Sequence, residues 1–222
     1  MVDNRNRLKA ELVGIMLGDG SISKRENGKG QNRIKISIDS REKQYIREIV
    51  ELLNRILGKK PYVRNRKNEY TCNIMYFDSR SITFFLDNLN LIKSPKWNRA
   101  EIPEKYFKKE YYADILRGYF DTYGSVVITN NNGTKYPRLE MKICPAKMQK
   151  QLIKCTQELE LDFKVYDLDK GKIRLQANGV QAVRDWFNKV GFRNKKHEKK
   201  ATRFLKNKNC IAGSGFEPLT SG

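Results

Sequence analysis

The stretch Leu12-Val13-Gly14-Ile15-Met16-Leu17-Gly18-Asp19-Gly20 decides how this chain reads, because a second version of it, Leu116-Arg117-Gly118-Tyr119-Phe120-Asp121-Thr122-Tyr123-Gly124, recurs about half a chain later. In a chain of 222 residues, an internal repeat predicts two similar domains rather than one large one. Both copies are largely apolar, hold glycine at their third and ninth places, and run into Ser21-Ile22 or Ser125-Val126-Val127. That pattern predicts a helix stopped by a terminal glycine and followed by a strand. Asp19 then falls in the last helical turn, where exposed carbonyls disfavour a carboxylate by a few tenths to about 1 kcal/mol. An acid kept there calls for a cation beside it. Gly14 and Gly18 share one helix face and leave it almost bare, and Gly118 and Thr122 repeat the arrangement. Such a face can lie against its own sheet, but its presence in both halves favours packing of the two helices on each other as the domain interface.

Outward from the repeats, each half carries the same order of patterns. In the first, a basic turn-forming tip that includes Lys24 and Arg25 precedes a strand in which Arg33, Lys35 and Ser37 alternate with Ile34, Ile36 and Ile38. An amphipathic helix over 41–57 follows, then a hairpin over 61–76 with Arg64, Arg66 and Asn73, then a helix over 80–89. The second half repeats this with the strand Arg138, Glu140, Lys142 against Leu139, Met141, Ile143. A helix over 146–160, a hairpin over 163–177 with Lys172, Arg174 and Gln176, and a helix over 180–189 complete it. The expected fold is therefore α+β: two pseudo-symmetric αββαββα domains over 1–92 and 114–206, joined by a charged linker over 93–113. Each contributes a four-stranded antiparallel sheet. Residues 193–208 read as a basic tail or final helix near phosphates, or as a solvated extension, and 207–222 as a disordered tail.

Composition narrows the partner. Hydrophobic residues make up 39% of the chain, enough for packed cores, whereas the net charge of +20 calls for an acidic partner, with nucleic acid first in line. Four cysteines without C-x-x-C spacing and a lone histidine, His197, predict reduced thiols, no zinc, and an intracellular chain of cytoplasm or organellar matrix. No apolar run is long enough to span a membrane, and no secretory signal core is present at the N-terminus.

The two motifs, the element order after each and the basic strand face resemble a LAGLIDADG homing endonuclease of the single-chain, two-motif type, over roughly residues 8–206. The resemblance implies motif helices packed side by side, sheets forming a saddle over the DNA major groove, and a penultimate acid in each motif that binds Mg²⁺ or Mn²⁺. It implies Asp19 as catalytic acid and metal ligand, the Gly18 and Thr122 carbonyls as further ligands, and Arg80 as a cation near the scissile phosphate. The second penultimate residue is Tyr123, a phenol of pKa about 10 and a poor ligand for a hard cation. Asp121, two residues earlier, points in a different direction on the helix. Neither Asn178-Gly179, the counterpart of Arg80, nor Ile38, where a polar residue often orients water, supplies the expected chemistry. The second catalytic half thus reads as degenerate.

The expected function is sequence-specific binding of a long duplex DNA site by a monomer, with hydrolysis weakened, limited to nicking, or lost. The readout residues would be Lys24, Arg25, Arg33, Lys35, Ser37, Arg64, Arg66, Asn73, Arg138, Lys142, Lys172, Arg174 and Gln176, since long donors on a curved sheet reach base edges in the major groove. The alternative is a nucleic-acid-binding protein without nuclease activity, such as an intron RNA maturase or a DNA-binding regulator. A basic structural RNA-binding protein is a third.

Overall fold

The computed structural model describes residues 4–24, 32–66 and 69–205. Helix α1 (Asn4–Gly18) is buried continuously from Ala10 to Leu17, and every residue of that span but Glu11 is apolar. A helix apolar all round belongs in the middle of a molecule, and its partner there is α4 (Tyr112–Tyr123). The contact is backbone on backbone. A Cβ placed on Gly14 would lie 2.2 Å from the Ile115 carbonyl oxygen, and one on Gly118 would lie 2.1 Å from that of Glu11. The bare faces are therefore the interface between the halves.

In the first half, β1 (Gly20–Ser23), β2 (Arg33–Asp39), β3 (Tyr62–Asn65) and β4 (Thr71–Tyr76) form an antiparallel sheet of order β1-β2-β4-β3. Helix α2 (Lys43–Leu57) covers one face, burying Tyr45, Ile49, Leu52, Leu53 and Ile56 with Ile34, Ile36, Ile38 and Ile74. Each such side chain contributes about 1.5–3 kcal/mol on burial. Helix α3 (Ser79–Thr83) continues as a π-helical turn over Phe84–Asn88. The second half matches it with β5 (Gly124–Asn131), β6 (Thr134–Ile143), α5 (Met148–Glu158), β7 (Lys164–Asp167), β8 (Ile173–Asn178) and α6 (Gly179–Lys189), in sheet order β5-β6-β8-β7. A last helix, α7 (Lys195–Leu205), packs through His197 and Ala201. Residues 207–222 and Arg25 lie outside the described residues.

The motif-terminal glycines act differently from the expectation. Gly124 is extended (φ −92°) rather than a left-handed cap, and Gly20 already belongs to β1. Both are needed because the strand leaves hard against its own helix: a Cβ would meet Met16 Cα at 2.6 Å in one half and the Phe120 carbonyl oxygen at 2.8 Å in the other.

A buried charge network locks the interface. Glu11 is 1% exposed and accepts from Arg193 Nε, Arg193 Nη2 (2.6 Å) and Arg117 Nη2 (3.0 Å). Asp114 accepts from Arg117 (2.5 Å) and Arg7 (2.9 Å). Burial opposes ionisation of Glu11, yet the hydrogen bond from Arg193 and the charges of Arg117 and Arg193 outweigh it and hold its carboxyl below the usual range.

Candidate nucleic-acid interface and motif-end site

The face of each sheet opposite the helices carries the basic alternation. In β2 the residues Arg33, Lys35, Ser37 and Asp39 are partly exposed while the isoleucines between them are buried. The register sets Lys35 opposite Met75, Ser37 opposite Asn73, and Asn73 opposite Arg64, so these share the face. In β6 and β8, Arg138 lies opposite Asn178, Glu140 opposite Gln176, and Lys142 opposite Arg174. Several expected readout residues are already engaged. Arg66 pairs with Glu69 at 3.0 Å and Arg138 with Glu140 at 3.1 Å. Arg174 stacks 5.3 Å over Tyr166, and Lys172 5.4 Å over Trp97 of the linker. Asn73 and Gln176, at 7% and 8% exposure, do not project as their strand parity predicts: the first accepts from Ser37 Oγ (2.9 Å) and the second donates to Asn178 (3.0 Å). They brace the face rather than project from it. Arg33, Lys35, Arg64 and Lys142 remain as projecting cations, and Lys24 lines a cavity with Lys93, Ser94 and Arg99.

At the end of α1 the expected cation is Lys96. Its ammonium donates to the carbonyl oxygens of Met16 (3.1 Å), Leu17 (2.8 Å) and Gly18 (2.5 Å). It thereby caps the negative helix end and acts through space on Asp19. Burial pushes the Asp19 carboxyl up to about 6, with the Lys96 charge pulling it down and that of Glu42 pushing it up. Burial also lowers Lys96 to about 8, against the pull of Asp19. The sequence called for a cation without naming it, because Lys96 is supplied from 78 residues away, inside the charged linker.

The equivalent end of α4 is built from other chemistry. Tyr123 is 43% exposed, with its ring edge-on to Tyr119 at 6.0 Å. Burial, Cys144 and Asp19 all raise its phenol, which stays neutral. Thr122 Oγ1 donates back to the Gly118 carbonyl (3.0 Å). Asp121 is buried, and its Oδ2 accepts the main-chain N–H groups of Arg193 (2.6 Å) and Asn194 (3.0 Å). Burial pushes it up to about 7. It is a structural anchor for the segment entering α7 and replaces no catalytic acid. Where Lys96 caps α1, Asn194 donates to the Asp121 carbonyl (3.1 Å). His197 packs against Phe120 at 5.4 Å, and burial, with the charges of Lys196 and Lys200, depresses its imidazole to about 3. The second motif end thus lacks both the acid and the cation of the first.

Arg80 requires correction. It lines a groove with Arg5, Lys9 and Arg55, and Lys9 is ten residues from Asp19, about 15 Å along the helix axis at ~1.5 Å per residue. Antiparallel pairing explains the placement. Asp19 adjoins the Ser37 end of β2, whereas β4 runs toward Ile34 before Arg80 begins the next helix.

For a divalent cation the motif ends offer the carboxylate of Asp19, since those nearby are taken up, Glu42 by Lys196 and Asn194 and the buried Asp121 by the amides of Arg193 and Asn194. The Gly18 carbonyl and its two predecessors already accept from an ammonium. A hard divalent ion takes about six oxygen ligands, and among the described residues no group of three or more His, Cys, Asp or Glu side chains gathers to hold one. The donor set, with Lys96 standing among its oxygens, does not fit the Mg²⁺ or Mn²⁺ that the resemblance implies.

Two glycine-faced helices carrying two antiparallel saddles define a two-repeat LAGLIDADG architecture. Residues 10–109 match the LAGLIDADG DNA endonuclease family and residues 112–209 the WhiA LAGLIDADG-like domain, and the chain belongs to the LAGLIDADG family in its single-chain, two-motif form. Among solved structures it is similar to full-length DUF199/WhiA from Thermatoga maritima, with 17% identity and a TM-score of 0.60, covering 96% of this chain and 64% of that one. It is also similar to the I-LtrWI LAGLIDADG homing endonuclease bound to target DNA (11% identity, TM-score 0.62, 91% of each chain). I-DmoI in complex with DNA and Mn matches at 15% identity with a TM-score of 0.59, covering 85% of this chain and 98% of that one. An uncharacterized protein of Methanocaldococcus jannaschii is 28% identical over 184 residues. The match takes in 79% of this chain but one fifth (20%) of that protein's length.

Proposed function

We propose that this chain is a sequence-specific duplex-DNA-binding protein of LAGLIDADG descent, acting as a monomer, that does not make double-strand breaks. The observation that carries the reading is the inequality of the two motif ends: Asp19 with Lys96 in one half, Tyr123 with a neutral, buried His197 in the other. Cutting both strands requires equivalent chemistry at both ends, and among the described residues the second end offers only the buried, amide-bonded Asp121 where an acid would take a proton, and no counterpart of Lys96 to stabilise charge on a leaving oxygen. Any residual hydrolysis would be confined to the strand facing Asp19.

Binding itself is supported by the net charge of +20 and by the projecting cations of both sheets. Arg33 and Arg64 can read guanine edges, at roughly 1–3 kcal/mol of discrimination per bidentate contact. The test is selection from a random duplex pool, followed by competition between the selected duplex and a structured RNA of the same length. Preference for the duplex, with Arg33→Ala relaxing the preference at one base position, supports the reading. Equal or tighter binding of the RNA overturns it in favour of an RNA partner.

A further inference from the structure

A groove of ≈ 610 Å³ runs between the start of α2 and the start of α7. Its walls carry six cations, Arg41, Lys43, Arg47, Lys195, Lys196 and Lys199, against the two carboxylates of Asp39 and Glu42. Both carboxylates are already matched: Asp39 by Arg41 (2.6 Å), and Glu42 by Lys196 (2.7 Å) and Asn194 (2.5 Å). Lys195 pairs with Glu198 (2.5 Å). Lys43, Arg47 and Lys199 are exposed and have no ion-pair partner among the described residues. The first turn of α2 adds to the field, since no side chain caps that helix at Glu42.

The equivalent place in the other half is closed. There the linker lies over the start of α5: Met148 N donates to the Ala100 carbonyl (3.0 Å), and Gln151 holds both the N–H and the carbonyl of Ile102 (2.7 and 2.9 Å). Glu101 neutralises Lys147 at 2.6 Å. So one half covers its helix start with main-chain hydrogen bonds and an acid, whereas in the other the α7 segment touches the helix start through Glu42 and leaves a groove rimmed with lysines beside it. Asp39, which lines the groove, is the last residue of β2 and shares the parity of Arg33, Lys35 and Ser37, so the groove adjoins the end of the basic strand face.

We propose that the α2–α7 groove holds the sugar-phosphate backbone of the bound duplex, on the side of the first half only. The proposal rests on the reading of the chain as a duplex-DNA-binding protein. Exposed, flexible lysines act as point charges, which suits a continuous polyanion better than a small anion needing a fixed fork of donors. The grip is independent of sequence and one-sided, so it orients the pseudo-symmetric saddle on its site.

The test compares the full chain with the triple variant Lys43→Gln, Arg47→Gln, Lys199→Gln and with the saddle variant Lys35→Ala, Arg64→Ala. Affinity for a duplex of arbitrary sequence, about three helical turns long, is measured by fluorescence anisotropy across a salt series. Each lost phosphate contact lowers the slope of log K against log salt by roughly 0.9. The triple variant is expected to lower the slope by between about 1 and 3 with its melting temperature unchanged, all three side chains being exposed. Neutral methylphosphonates at successive positions of the selected site should weaken binding at the groove on one side of the centre only. A slope unchanged in the triple variant but reduced in the saddle variant overturns the groove and leaves DNA binding standing. A slope reduced for RNA but not for duplex also overturns it. Failure of the unmodified chain to bind any duplex instead rejects the functional reading on which the proposal rests.

Discussion

Replacing Gly118 by alanine tests the architecture at its narrowest point. The added Cβ would sit 2.1 Å from the Glu11 carbonyl oxygen, 2.9 Å from Ile15 N and 3.1 Å from the Glu11 carbonyl carbon. All three are backbone atoms, so no rotamer change relieves the clash and α1 must move away from α4 by about 1 Å or more to reach ordinary contact. That movement disturbs the buried Glu11–Arg117–Arg193 cluster, which spans both halves. Overpacking alone costs about 1–3 kcal/mol, and loosening a buried ion pair adds to it, so we expect about 3 kcal/mol or more. For a chain of this size that corresponds to a fall of roughly 6–12 °C in melting temperature. Gly18→Ala is the internal control. Its Cβ would meet the Thr122 hydroxyl at 2.3 Å, which can rotate away with the loss of one hydrogen bond, worth about 1 kcal/mol, and the Cβ atoms of Thr122 and Tyr123 at 3.3 Å, which need give by only a few tenths of an ångström. Thermal unfolding followed by circular dichroism should therefore rank Gly118→Ala well below Gly18→Ala. Equal melting temperatures for Gly118→Ala and the unmodified chain would refute the backbone-on-backbone interface.

Glu11→Gln leaves Arg193 facing a neutral amide and Arg117 paired with Asp114 alone, and should cost up to about 3 kcal/mol in urea unfolding. Burial pushes the Asp19 carboxyl up to about 6 in the folded state, above the ordinary value of about 4, so the folded state binds the proton more tightly and this group's contribution to stability falls as pH rises from about 4 to 6. Asp19→Asn should accordingly stabilise the fold by at most about 3 kcal/mol at about pH 7.5, seen as a raised melting temperature, and leave it unchanged below about pH 4; a flat difference across pH would count against the burial of Asp19. Arg33→Ala should weaken binding to the selected duplex more than to random duplex, whereas Arg66→Ala, whose guanidinium is tied to Glu69, should change both little.

Much of the fold was legible because the information was local. Alternation at Ile34, Ile36 and Ile38 fixed the buried face of β2, and the repeat fixed the pairing of halves. The small residues of both motif helices announced the interface, since only backbone approach explains bare faces in matching places. What the sequence hid was long-range. Lys96 reaches α1 from the linker, Asn194 reaches back 73 residues to the end of α4 and 152 residues to Glu42, and no periodicity encodes such meetings. Arg80 was misplaced for the same reason, because which end of an antiparallel strand adjoins Asp19 depends on register. Helix geometry shows that Asp121 and Tyr123 point in different directions, but the partners of Asp121, the amides of Arg193 and Asn194, lie 72 and 73 residues further on. Asn73 and Gln176 have the parity of readout residues, and only the neighbours that cover them show that they brace the face.

The most direct test of the central claim is strand-resolved cleavage of a supercoiled plasmid carrying the selected site, with Mg²⁺ and then Mn²⁺, alongside a binding measurement on the same DNA. The account predicts saturable binding with no linear product in either metal, and any open circles lost in Asp19→Asn. Linear DNA from the unmodified chain would contradict it, since it would show that Tyr123 and its neighbours support hydrolysis of the second strand.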